Sequence, residues 1–148
     1  MANLVVNISE EVTLNGKVRG SENSLEISSV TQVLHRIVTC PANQDTTVAN
    51  FHAATNTSDN ALDVEDAKYI RVTNLDASNS INLSLQIDAA EDDSAAAESA
   101  TILVAAGRSF IMGAPSDGLA VSDANATIVT TLHNLESILV DPGSNAIS

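Results

Sequence analysis

Ile81-Asn82-Leu83-Ser84-Leu85-Gln86-Ile87 alternates apolar and polar side chains without interruption. A period of two matches a pleated strand with one dry face and one wet face, and no helix presents it. Just upstream, Asp76-Ala77-Ser78-Asn79-Ser80 is a run of turn formers. Lys68-Tyr69-Ile70-Arg71-Val72-Thr73-Asn74-Leu75 precedes it with a second strand-like pattern. Together these pieces predict a β-hairpin over residues 68–87.

Downstream, residues 88–99 form an acidic, Ala-rich stretch that predicts a loop. Short strands are expected at 101–104, 109–112, 119–121, 127–132 and 137–140. Gly107, Gly113-Ala114-Pro115, Asp117-Gly118 and Asp141-Pro142-Gly143 punctuate them. Upstream, residues 53–63 are polar and turn-rich, and 46–51 predict a strand. Residues 25–40 are long and β-branched, which argues for a strand over the runner-up, a helix. In that strand Val33, His35, Ile37 and Thr39 share one face, while Leu34, Arg36, Val38 and Cys40 share the other. Residues 20–24 are expected as a loop, and 4–8 as a strand. Asn15-Gly16 is a type I′ turn signal, so 12–14 and 17–19 are either one interrupted strand or the arms of a tight hairpin. Many short strands between polar turns predict an all-β fold, an antiparallel sandwich or barrel, and an antiparallel β-sandwich with long polar loops is the expectation. One domain is expected over residues 1–148, with 1–9 as a candidate N-terminal arm and 88–99 as an acidic loop.

Composition narrows the function classes. The apolar fraction of 44% supports a packed core. With no Trp, one Tyr and two Phe, that core must be aliphatic. Nineteen acids against six bases leave a formal charge of -13. Such a surface repels nucleic acid and anionic membranes, so neither is expected as a partner. Cys40 is the only cysteine, which excludes an intrachain disulfide and a Cys-rich zinc site. A half-buried, inert thiol is expected there. The first residues lack a basic region and a long apolar run, so they are not expected to be a signal peptide. The chain is therefore expected to fold in a cytoplasm, with the Asn-X-Ser/Thr matches at Asn7, Asn56, Asn82 and Asn125 unglycosylated.

No catalytic, cofactor-binding or metal-binding residue emerges from the motifs. His35, His52 and His133 are far apart and form no ligand pattern. Asp88, Glu91, Asp92, Asp93 and Glu98 supply hard oxygens but lack the order of an EF-hand loop. Ser58-Asp59-Asn60 has no Ser-X-X-Lys companion, and there is no Gly-X-Ser-X-Gly elbow or phosphate-binding Gly loop. A sugar-binding module would call for Trp or Tyr platforms, and aromatics make up 2% of this chain. No enzyme is expected and no cofactor is assigned.

The strand-like run at 68–75, the polar turn and the alternating run at 81–87 together resemble a pattern in small virion proteins of tailed bacteriophages. Ile102-Leu103-Val104-Ala105-Ala106-Gly107-Arg108-Ser109-Phe110-Ile111-Met112, a strand, a Gly-centred turn and a strand, adds to the likeness. The acidic, Lys-poor composition is similar to that of a marine phage protein. The resemblance implies a jelly-roll-like capsid decoration (cement) protein, made in the host bacterial cytoplasm and placed on the virion's capsid exterior. It implies the major capsid protein as partner and a homo-oligomer, with a trimer favoured. A tail, neck or fibre-associated protein is the alternative. Residues 4–8, 33–40 and 138–140 are the expected contact patches, with the N-terminal arm adding a strand to a neighbour or to the shell.

Overall fold

The computed structural model describes residues 2–51, 61–62, 67–87, 98–114, 118–122 and 132–147. They contain ten strands: β1 (Ala2–Leu14), β2 (Lys17–Val30), β3 (Thr46–Phe51), β4 (Ala61–Leu62), β5 (Tyr69–Thr73), β6 (Ile81–Ile87), β7 (Glu98–Val104), β8 (Ser109–Gly113), β9 (Ala120–Val121) and β10 (His133–Asp141). Among these residues there is no helix, hence none long and apolar enough to cross a membrane. The fold is all-β and sandwich-like. The chain falls into two compact units, Met1–Thr31 and Gln32–Ser148.

The first unit is a single antiparallel hairpin of β1 and β2. Leu14 lies opposite Lys17 across Asn15-Gly16, and both turn residues have positive φ, 53° and 73°. That is the two-residue I′ geometry whose twist suits the flanking strands. One expectation is corrected here. Residues 20–24 lie inside β2 rather than in a loop, because continuous pairing with β1 overrides their turn-forming composition. Residues 2–9, within the expected arm, form the first part of β1 and pair with β2. Gly20 is needed at its place: a Cβ there would run into the backbone carbonyl of Glu10.

The second unit holds a larger sheet in the order β4-β3-β10-β6-β7, with β9 on the start of β10, and a β5-β8 pair. Ile81, Leu83, Leu85 and Ile87 of β6 are all buried, while Asn82 between the first two is exposed. On β5 and β8 the inward positions are Ile70 and Val72 opposite Met112 and Phe110. These pack with Leu83, Leu85, Val104, Ile138 and Val140 into one aliphatic cluster, as the aromatic-poor composition requires. Along β10 a bulge between Leu135 and Ser137 shifts the phase of the strand. Leu135, Ile138 and Val140 are thereby all buried despite their uneven spacing.

The strands at 69–73 and 81–87 form where the sequence places them, but they do not pair. β5 pairs with β8, and β6 with β7 and β10. Residues 74–80 are an arch between two sheets, and so are residues 105–108 between β7 and β8. The reason lies in what the connection bonds to. Asn74 accepts from the Asp76 N–H at 3.1 Å, and Asp76 accepts from the N–H groups of Ser78 and Asn79 at 2.7 and 2.6 Å. These turns shape the connection, and contacts beyond it make it an arch. The two arches are joined: the Asn74 N–H donates to the Arg108 carbonyl at 2.9 Å, and Asn74 Nδ2 to the Val104 carbonyl at 3.2 Å.

The expected strand over 25–40 also stops early. β2 ends at Val30, and residues 33–39 belong to no strand among the described residues. Cys40 resumes pairing through an isolated bridge to Ile147. Its thiol is buried rather than half-buried. Of the expected strand at 127–132 only Leu132, which is in no strand, is described; the rest of it and the acidic loop from 88 to 97 lie outside the described residues, as do His52 and Ser58-Asp59-Asn60.

Candidate functional site

The hairpin has two chemically distinct faces, and its register decides which side chains share each. Leu4, Val6, Ile8, Glu10, Val12 and Leu14 of β1 align with Ile27, Leu25, Asn23, Ser21, Arg19 and Lys17 of β2. This face is apolar apart from Glu10, Ser21, Asn23 and the two tip cations. The opposite face carries Val5, Asn7, Ser9, Glu11 and Thr13 with Glu26, Ser24, Glu22, Gly20 and Val18. On the apolar face Ile8, Val12 and Leu14 are 44%, 57% and 53% exposed. Full cover would stabilise each by about 1 kcal/mol, taking half of a whole-side-chain burial. A two-stranded ribbon is marginal in water by itself, and the outer edge of β1 has no strand beside it among the described residues. Edges of this kind invite a partner strand. Polar groups on the ribbon fix its register: Ser21 Oγ donates to Glu10 at 3.2 Å, and Asn3 Nδ2 to Glu26 at 3.1 Å.

Residues 33–39 form a second exposed feature. Leu34 and Val38 pack against the core, while Val33 and Ile37 are 78% and 75% exposed. His35, Arg36 and Thr39 are exposed as well. Apart from Arg36, whose long side chain reaches water, the faces divide as their alternation predicts. The segment has the side-chain period of a strand and no neighbour to hydrogen-bond with among the described residues. Of the three expected contact patches, 138–140 is corrected. Ile138 and Val140 are buried in a strand flanked by β3 and β6, so they hold the sheet together.

An open polar cleft of about 320 Å3 lies between the 78–82 stretch and the turn after β10, lined by Ser, Asn, Asp141, Pro142 and Gly143. Asp141 is occupied in its own turn, accepting from the Gly143 N–H at 2.7 Å. The cleft presents neither an aromatic ring nor a base to a ligand. Among the described residues no three His, Cys, Asp or Glu side chains come close enough to hold a metal ion. His35 is exposed and His133 half-buried at the start of β10. One carboxylate is perturbed: the backbone N–H groups of Ser78 and Asn79 hold Asp76 below its usual value. Its role is to shape the arch.

Sequence reasoning missed the full hairpin, because Gly20-Ser21-Glu22-Asn23-Ser24 hides the second strand behind loop composition. The Asn15-Gly16 signal was the available clue. No family model, curated protein or solved structure matches this chain.

Proposed function

We propose that the chain is a structural assembly protein, a decoration protein on the exterior of an icosahedral phage head, and that it acts through subunit contacts rather than catalysis. The observation that carries the reading is the hairpin, whose apolar face and free β1 edge are left to solvent at Ile8, Val12 and Leu14. Such a ribbon gains stability when a protein neighbour covers it. Two further features support the reading. The likeness to small virion proteins spans residues 68–112, and the charge of -13 disfavours the genome-facing wall of a shell. The major capsid protein is the partner that this reading requires, with a jelly-roll-like sandwich in each subunit of a homotrimer.

Image reconstruction of particles containing the chain tests the proposal. Density on the head exterior at three-fold or quasi-three-fold positions is the expected result. Density confined to the tail or neck would replace it with the tail-associated alternative.

A further inference from the structure

We infer that residues 33–39 of one copy receive β1 of a second copy as an added antiparallel strand. The register sets Ile8 beside Ile37, Glu10 beside His35, and Val12 beside Val33. The inference deepens the assembly reading above and rests on it, naming the place where copies join.

Both partners are strand material with an edge that no strand covers among the described residues. β1 has an open outer edge, and residues 33–39 have strand periodicity with no ladder among the described residues. Edge pairing supplies backbone bonds to each, and the antiparallel arrangement is the slightly more stable one per residue. The side chains then match on one face. Ile8, Glu10 and Val12 share the apolar side of the hairpin. Val33, His35 and Ile37 share the solvent side of the segment. Each set is apolar, polar or charged, apolar at spacing two, and the four apolar members are all exposed, Ile8 at 44%, Val12 at 57%, Ile37 at 75% and Val33 at 78%.

Charge selects the partner. Copies of a chain with a net charge of -13 repel one another, so a contact between them must use its few cations. Arg36 is one of only six Lys and Arg residues. In this register Arg36 lies beside Ser9 and diagonally across from Glu11, within reach of a cross-strand pair. Glu10 and Glu11 on the β1 edge discourage pairing with a second acidic strand and admit one that carries His35 and Arg36. A copy gives one strand and receives one. The contact is therefore completed either by reciprocal exchange between two copies or by closure of a ring.

Sedimentation of the purified full chain, without shells, tests the contact. The wild type should associate reversibly, and Ile37→Glu, which sets a carboxylate beside Ile8 and diagonally across from Glu10, should sediment as a monomer. Glu11→Arg and Arg36→Glu should each weaken association about fivefold, and the double reversal should recover it. Glu11 and Arg36 are exposed, so the charge cycle decides if Ile37→Glu disturbs folding. When a tagged Ile8→Cys chain is mixed with an Ile37→Cys chain, a disulfide between the two should form under mild oxidation. A monomeric wild type, an unchanged mass in the charge variants, or failure of the mixed disulfide would overturn the inference. A monomer that still binds phage heads would overturn this contact alone. Self-association through these strands without affinity for heads would support the contact and overturn the decoration reading.

Discussion

Asn74 is a polar side chain 2% exposed within an aliphatic core; two of its three side-chain bonds brace its own arch and the third ties that arch to the end of β7. Nδ2 donates to the carbonyls of Asn79 and Val104, and the side-chain oxygen accepts from Asp76. Asn74→Ala leaves buried backbone groups unpaired, so chemical denaturation should report a loss of about 2–3 kcal/mol. Asp76 beside it gives a pH signature. Its carboxylate is held below the ordinary 3.8 by the Ser78 and Asn79 N–H groups. The stabilisation is therefore fully present above that value and disappears as pH falls through the lower folded value. Asp76→Asn should flatten this part of the acid limb in a stability-against-pH series; an unchanged slope would refute the assignment. Leu85, 1% exposed on β6, belongs to the same scale, and Leu85→Ala should cost about 3–5 kcal/mol through the cavity it leaves.

At the scale of elements, pairing is what separates an arch from a hairpin. Thr73 and Ser109 lie directly opposite on β5 and β8, with their hydroxyl oxygens 2.8 Å apart. Cysteines at these two positions should form a disulfide readily, and mass spectrometry after mild oxidation would detect it. Cys40 is buried away from the exchange. Failure of that bridge would return β5 to a hairpin with β6. In the first unit, Gly20→Ala should force β1 and β2 apart at Glu10. Amide hydrogen exchange across both strands should then accelerate while that of β6 and β10 stays slow.

For the whole molecule, the marginal stability of a lone ribbon links folding to association. The midpoint of thermal unfolding for the hairpin should rise with protein concentration, as it does when only the folded form binds a partner. Calorimetry or hairpin-specific exchange over a wide concentration range would measure it. The acidic surface limits which copies can meet and at which residues. An assembly contact built on Arg36 and Glu11 is specific because cations are scarce.

The alternation at 81–87, the Asn15-Gly16 turn, the strands at 46–51, 69–73 and 109–112, and the two faces of 33–39 were legible in the residues. Each depends on side-chain period or on a turn conformation, and both are local. Partner choice was not legible. The same seven-residue connection suits a hairpin loop or an arch, and only the contacts of Asn74 with Val104 and Arg108 decide between them. Likewise β-branched residues favour a strand at 33–39, but a strand exists only where another backbone lies alongside to bond with it. Period and turn chemistry are properties of consecutive residues, whereas pairing depends on segments that folding alone brings together.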